Sequence, residues 1–463
     1  MESIVEIATD LVRRHRGFFD GEAEAVGCVA PGRLDVMGGI ADYSGSVVLE
    51  WPLACRAVVV LQRRRDFRLR VMSLQADEEG LQPLVELDLA RLTQRADYAA
   101  ARALLREPRR AAWAAYLAGA FHVLRAEGRV RAWPSGANIL LHSTVPIGAG
   151  VASSAAIEVA AMRAIDAAYG VGLEGLDLAR LCQIVENRVV GAPCGIMDQV
   201  TCALGRQGAL LALRCQPHDV LGFHVLPAGC QVVGINSKVK HAVGGRRYAR
   251  ARVGAFMGLT IIQRHLGGDP FGGCLANITP RQFRSEFHAL LPARLRGADF
   301  LRQYGETPDP VTEVDPDETY SVRACTAHPI YENDRVQRFV KLLGEAHGPA
   351  ARKALTAAGR LMYASHWSYG KLCALGSAET DLLTQAVRRR GPDQGLYGAK
   401  ITGGGSGGTV AILAAADAGD VLREIAVEYE RRTGIRLARA DLMMGSSPGA
   451  LAMGHVRVPV PPA

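Results

Sequence analysis

Two carboxylates, Glu186 and Asp198, sit twelve residues apart in VENRVVGAPCGIMDQVTCALG, a mostly apolar stretch. A carboxylate in such surroundings costs free energy unless it is paired or functional. One reading is structural, an aspartate that caps a helix or joins a salt bridge. The other is chemical: one acid holds a divalent cation and the other handles the proton of a hydroxyl group. A second polar pair, Arg33 and Asp42, lies nine residues apart in PGRLDVMGGIADYSGS, residues 31–46. One cation and one anion on a glycine-loosened turn suit the wall of a small-molecule pocket.

Two glycine-rich segments add to this. VPIGAGVASSAAIEVA (145–160) places Gly148 and Gly150 ahead of Ser153 and Ser154. Glycines let a backbone approach a ligand closely, and open N–H groups at a helix start favour phosphate. The serine hydroxyls there offer a metal ligand or a helix cap, and a plain capped turn is the simpler alternative. There is no GxxxxGK[ST], so this is not a Walker loop. The later run KITGGGSGGTVAIL (400–413) contains GxGxxG, but an apolar, strand-like TVAIL follows it. A dinucleotide site needs a helix at that point. These glycines are read instead as a loop packed against a ligand or another lobe.

The elements that position these residues follow from periodicity. The N-terminus reads as an amphipathic helix and not a secretory signal. Residues 56–72 suggest strands, 109–127 a helix with a glycine stop, and 136–145 a strand entering the glycine turn. SSAAIEVAAMRAIDAAYG is alanine-rich and ends at Gly170, which predicts a helix. A further helix covers LDLARLCQIVENRVVG, and GALLALRC (208–215) is strand-like. Beyond it come a strand–turn–strand through 224–237, helices over 246–266, 332–345 and 350–376, and a closing alternation of strand and helix. The acidic, proline-rich 305–318 reads as a surface loop. The fold class expected is α+β in two lobes, residues 1–215 and 216–463, with the site between them.

Bulk properties bound the function. The chain has 463 residues, 49% hydrophobic and 22% charged, as in an ordinary soluble enzyme. The longest apolar candidate, 111–124, is too short to span a bilayer and contains His122, so no membrane partner is expected. Ten cysteines without CxxC point to reduced thiols in a cytoplasm, and twelve histidines form no zinc motif. The net charge of +8 is either plain solubility or an attraction for an anionic nucleotide. Basic residues lack the aromatic interleaving of a nucleic-acid groove. Oligomeric state is left open between monomer and dimer.

Taken in order, APGRLDVMGGIADYSGS, VPIGAGVASSAA, GAPCGIMDQ, INSKVKHAVGGRRYARAR and KITGGGSGG resemble the signatures of the GHMP small-molecule kinases, and among them the galactokinase-like branch. The resemblance runs from about residue 28 to about 450. It implies a two-lobed fold and ATP-dependent phosphorylation of a sugar at its anomeric hydroxyl, with Mg²⁺. On that resemblance Asp198 is the catalytic aspartate, and Arg33 lowers its pKa and stabilises developing charge. Ser154 and Glu186 hold the metal. Pro146, Gly148, Ala149, Gly150, Val151, Ser153, Ser154 and Ala155 form the ATP loop. Trp113 and Tyr116 fall near the adenine, or are helix packing. Asp42, Gly39, Ile40, Gly195, Tyr248 and Gly404 face the sugar.

Departures from the family pattern bear on the substrate. Galactokinases read Gly-Glu-His-Thr-Asp-Tyr where this chain has Gly38-Gly39-Ile40-Ala41-Asp42-Tyr43. The family's Glu and His help to bind the hydroxyl on carbon 6, and both are missing. L-Arabinopyranose has galactose's ring stereochemistry without that arm, so the expected product is β-L-arabinose 1-phosphate. An unpaired hydroxyl against Ile40 would disfavour galactose by about 1–3 kcal/mol. The same changes could instead admit a uronic acid or an amino sugar. Ala152 stands where galactokinases usually have another serine. A non-catalytic sugar sensor on the same fold and an NAD-dependent oxidoreductase are the readings from other classes.

Overall fold

The computed structural model describes residues 3–21, 23–94, 96–240 and 244–462. Residues 241–243, within the stretch that begins Asn236-Ser237, lie outside the described residues.

Strands β1 (Glu24–Met37), β2 (Val47–Arg63), β3 (Arg68–Ser73), β4 (Leu84–Asp88), β5 (Ala137–Ser143), β6 (Ala209–Arg214) and β7 (Asp219–Val225) form one sheet. It runs β1-β2-β5-β3-β4, with β6 on β2 and β7 on β6. Only the β3–β5 pairing is parallel among these. The second lobe holds β8 (Cys230–Lys240), a short ribbon of β9 (Leu295–Arg296) and β10 (Thr319–Tyr320), β11 (Leu396–Ile401), β12 (Gly407–Ala415) and β13 (Leu442–Met443). Its four-stranded sheet is ordered β11-β12-β8-β13. The last strand, β14 (His455–Pro459), returns to pair with β1. The sheet of the first lobe thus takes in 219–225 and 455–459, both beyond the boundary expected at 215.

The site depends on three local features. β1 is buried on both faces, and its pairing with β2 shifts register between Pro31 and Arg33 and again between Asp35 and Met37. Such bulges re-aim side chains, here Arg33 and Asp35. The alanine-rich helix Ser153–Tyr169 packs on β1 and β2 and stops at Gly170 in the left-handed conformation. Ala152 at its start also has positive φ, and no side chain caps it. The first-turn N–H groups are therefore left for a ligand. Third, the helix Gly175–Ile184 widens into a π-turn over Val185–Val190, the turn that carries Glu186. Wide turns of this kind gather at functional sites.

Helix Val322–Gly344 starts ten residues before the expected 332. Pro329 interrupts the sequence pattern, yet the helix runs through it because Thr326, His328, Ile330 and Glu332 are all buried. Residues 305–318 lie mostly outside helices and strands, as a loop should. They are not wholly a surface feature: the Asp309 side chain is fully buried.

Candidate active site

At the centre, Arg33 donates to Asp198 Oδ1 from Nε at 2.9 Å and from the terminal nitrogen at 2.6 Å. Its other terminal nitrogen donates to the Gly150 carbonyl at 2.7 Å. Glu50 Oε2 lies 3.2 Å from Arg33 Nε, an ion pair without hydrogen-bond geometry. Burial works against the Arg33 cation, but Asp198, Glu50 and Asp35 outweigh it and hold the guanidinium firmly protonated. Burial, and then the neighbouring Asp35, push Glu50 well above the carboxylate range. Asp198, and not Glu50, is the carboxylate that hydrogen-bonds Arg33. Asp198 is also the more exposed, at 22% of its side chain against none for Glu50.

Two cavities meet at this pair. One, of about 540 Å³, opens on the first lobe, and the other, of about 410 Å³, lies between the lobes. Arg33, Gly148, Gly150, Asp198 and Gly404 line both. In the first, the 145–154 turn faces Trp113 and Tyr116, and Trp113 Nε1 donates to the Gln82 carbonyl at 2.8 Å. The predicted loop residues line this cavity, except Ala149 and Ala155, which are buried in the core. Glu186 lies beneath it. Burial pushes its carboxyl up to about 7, the Ser154 hydroxyl pulls it down, and Asp198 raises it again. Gln199 Nε2 donates to Glu186 at 2.7 Å and to Glu158 at 3.3 Å. A hydroxyl and a carboxylate together are hard oxygen donors, which fits Mg²⁺ with phosphates completing its shell.

The second cavity is lined by Ile40, Asp42, Gly195 and Tyr248. Asp42 is buried, and its Oδ1 has no partner among the described residues. Burial raises its pKa to about 6, with Arg252 opposing and Asp198 adding to the rise. A Cβ on Gly195 would stand 1.5 Å from Asp42 Oδ2, so only glycine fits beside that carboxylate. Gly39 does not line the cavity. A Cβ there would meet Asp35 Oδ2 at 2.0 Å. Asp35 in turn receives Lys400 Nζ at 2.6 Å, with both side chains fully buried.

The 38–40 turn is held from behind by helix Val322–Gly344. His328 Nε2 donates to the Gly39 carbonyl at 3.0 Å, and its Nδ1 accepts from Ser368 at 2.9 Å. Burial keeps His328 neutral, its pKa lowered to about 4. Glu332 accepts from the Gly38 N–H at 3.0 Å. The glycines of the 403–408 run have a different role from a cofactor fingerprint. A Cβ on Gly403 would lie 2.4 Å from the Gly150 carbonyl, and one on Gly408 2.7 Å from that of Ala149. Backbone meets backbone where the lobes touch.

Sequence reading brought together Arg33, Asp198, Ser154, Glu186, Asp42 and Tyr248, and the structure places them around one junction. It missed Glu50, Glu158, Gln199, Asp35, Lys400 and the His328–Glu332 clamp. The i, i+4 spacing of His328 and Glu332 was the available signal, since such residues share a helix face. Ser73, Gln75, Ala76 and Leu81, which also line the larger cavity, carry no motif.

Comparison with known proteins bears on all of this. Residues 115–206 match the GHMP kinases N terminal domain, and residues 346–430 match the GHMP kinases C terminal family. L-arabinokinase of Arabidopsis thaliana is 38% identical over an alignment of 501 positions, covering 96% of this chain and 47% of that protein. The chain thus spans about half the length of that relative. Galactokinase of Chloroflexus aggregans is 31% identical, with 88% of each chain covered. Among solved structures, Lactococcus lactis galactokinase complexed with galactose shares the fold with a TM-score of 0.73, at 20% identity, over 96% of this chain and 100% of that one.

Proposed function

The chain belongs to the GHMP kinases, in the branch of the galactokinases and L-arabinokinases, and from that premise we propose that it is an ATP-dependent sugar 1-kinase whose preferred acceptor is L-arabinose. The reaction forms a bond from the anomeric oxygen to the γ-phosphorus of ATP and breaks the bond to ADP. The observation that carries this reading is that Arg33 and Asp198 stand where the two cavities join. A phosphate tail on the 145–154 turn and a sugar beside Asp42 would meet there.

Asp198 accepts the hydrogen of the anomeric hydroxyl, orients it, and takes its proton at some stage of the transfer. Arg33 holds Asp198 in place through two hydrogen bonds and steadies the charge that develops. Positioning and electrostatics supply most of the catalysis, as is general for phosphoryl transfer. Ser154 and Glu186 would hold Mg²⁺, which neutralises phosphate charge when bound.

Two features favour L-arabinose. Ile40 presents an apolar wall in the smaller cavity, and Gly39 adds no polar group there. Among the described residues that line this cavity the one cation, Arg33, is already held by Asp198, which favours a neutral sugar over a uronate. The test is ADP release with arabinose, galactose, galacturonate, glucuronate and galactosamine. The largest kcat/KM is expected on arabinose; a larger value on any other sugar, or no turnover at all, defeats the assignment.

A further inference from the structure

The acidic loop 305–318 sends one residue into the interior. Asp309 accepts from Arg252 Nε at 2.7 Å and from its terminal nitrogen at 2.6 Å, a bidentate pair with side chains 6% and 0% exposed. Asp309 is further fixed by the Val311 N–H at 3.2 Å and by the hydroxyl of Thr312. Arg252 lies 5.4 Å from the centre of the Tyr43 ring and 5.7 Å from that of Phe256. Tyr43 packs edge-on against Tyr248 with ring centres 6.0 Å apart. This cation therefore stands directly behind the wall formed by Asp42 and Tyr248. Of the nearby cations it is the one that acts most on Asp42.

Asp42 lines the cavity, and its buried Oδ1 has no partner among the described residues. An open acceptor beside a buried guanidinium is an unstable arrangement unless that guanidinium is engaged elsewhere. A buried cation takes the nearest anion, because leaving it unpaired costs far more than the hydrogen bond it makes. Arg252 gives its Nε and one terminal nitrogen to Asp309.

Resting on the sugar-kinase reading, we infer that Asp309 is a positioning residue for the sugar site: by occupying Arg252 it keeps the Asp42 carboxylate free to accept the ring hydroxyls of the substrate. The acidic loop thus braces the acceptor pocket from behind. Neither Asp309 nor Arg252 is among the residues that line the cavity. Arg252 supplies the field that favours ionised Asp42, and Asp309 stops it from closing on that oxygen.

The test is steady-state kinetics of wild type, Asp309→Asn, and the double variant Arg252→Met/Asp309→Leu, in intact chain. In Asp309→Asn the guanidinium has lost its anion and turns to Asp42. The KM for sugar should rise by about tenfold or more, with the KM for ATP within about twofold. The double variant removes the competing cation together with its partner, so its sugar KM should lie closer to wild type than that of Asp309→Asn. A merely structural pair predicts the reverse order, together with a parallel loss in kcat and in ATP affinity. That pattern, or an unchanged sugar KM in a folded Asp309→Asn protein, overturns the inference. Lack of turnover by wild type on every sugar tests the sugar-kinase reading instead, and is scored separately.

Discussion

The two ends of the cleft are built by opposite means. The end assigned to the nucleotide is built around one contiguous run, 144–154, faced by side chains from 73–81, Trp113 and Tyr116. The sugar end is assembled from residues near 40, 195, 248 and 404, drawn from both lobes. Tolerance differs accordingly. At Gly150 a side chain is opposed by the backbone itself, at φ +71°, with the Thr402 carbonyl 3.1 Å from an added Cβ, whereas at Gly195 it is opposed by the Asp42 carboxylate at 1.5 Å. A backbone cradle survives a change of side chain such as Ala152, which leaves the N–H groups in place. A cradle made of side chains pressed on glycines does not.

Asp198 belongs to both ends, and removing it should have the largest effect. Asp198→Ala is expected to lower kcat by roughly 10²–10⁴ while ATP affinity stays nearly unchanged, as measured by turnover and by nucleotide titration. Full activity in that variant would remove the reaction assigned to this junction. Next in size is Gly195→Ala. The methyl group must displace the Asp42 carboxylate, so the sugar KM should rise about 10–100-fold with the ATP KM unmoved. Equal loss at both ends would erase the contrast between them.

The same contrast explains what could be read from the sequence. The phosphate turn, the helix Ser153–Tyr169 and the strands around it were legible because each is local: glycine, serine and alanine periodicity report on neighbours in the chain. The acids of the centre were legible as unusual residues, and the five ordered motifs gave them roles. What supports the sugar end was not. Lys400 lies 365 residues from Asp35, and Asp309 lies 57 from Arg252. No local pattern reports a pairing made by tertiary packing. Gly39 shows the cost of reading such a position alone. It looked like a gap on the sugar side, but its missing side chain is replaced by the carboxylate of Asp35.

That finding sharpens how substrate preference should be exchanged. Gly39→Glu with Ile40→His alone would drive a side chain into the Asp35–Lys400 pair. Disrupting a buried ion pair costs about 3–5 kcal/mol, so lower thermal stability is expected with little gain on galactose. Adding Asp35→Ala clears the space and leaves the new carboxylate as the partner of Lys400. In the triple variant the galactose-to-arabinose ratio of kcat/KM should rise about tenfold, in line with one satisfied hydroxyl. A ratio unmoved in a stable triple variant would disconnect residues 39 and 40 from the choice of sugar.

The smallest expected effect is also the most selective between the two ends. The Asp42 pKa is raised from 3.8 to about 6, chiefly by burial. For an acid raised on folding, the ionised form is the penalised one. Its stability penalty is absent below about pH 4, grows through the window from 4 to 6, and is fully present above it, at roughly 3 kcal/mol. Sugar hydroxyls that donate to the open Oδ1 relieve that penalty, because they hydrogen-bond the charged form. Sugar binding must then be tighter above pH 6 than below it. The affinity for sugar, measured without Mg²⁺ and nucleotide so that Glu186 takes no part, should fall by about tenfold between pH 7 and pH 5, and the sugar-induced rise in Tm should shrink over the same interval. The rise in Tm induced by a nucleotide without Mg²⁺ should lack this step, since Asp42 does not line its cavity and Glu186, raised to about 7, bears on the nucleotide through the metal. Asp42→Asn should flatten the sugar profile, for an amide has no proton to gain there. A step that persists in Asp42→Asn would assign the titration to another carboxyl and take from Asp42 its place as the hydroxyl acceptor.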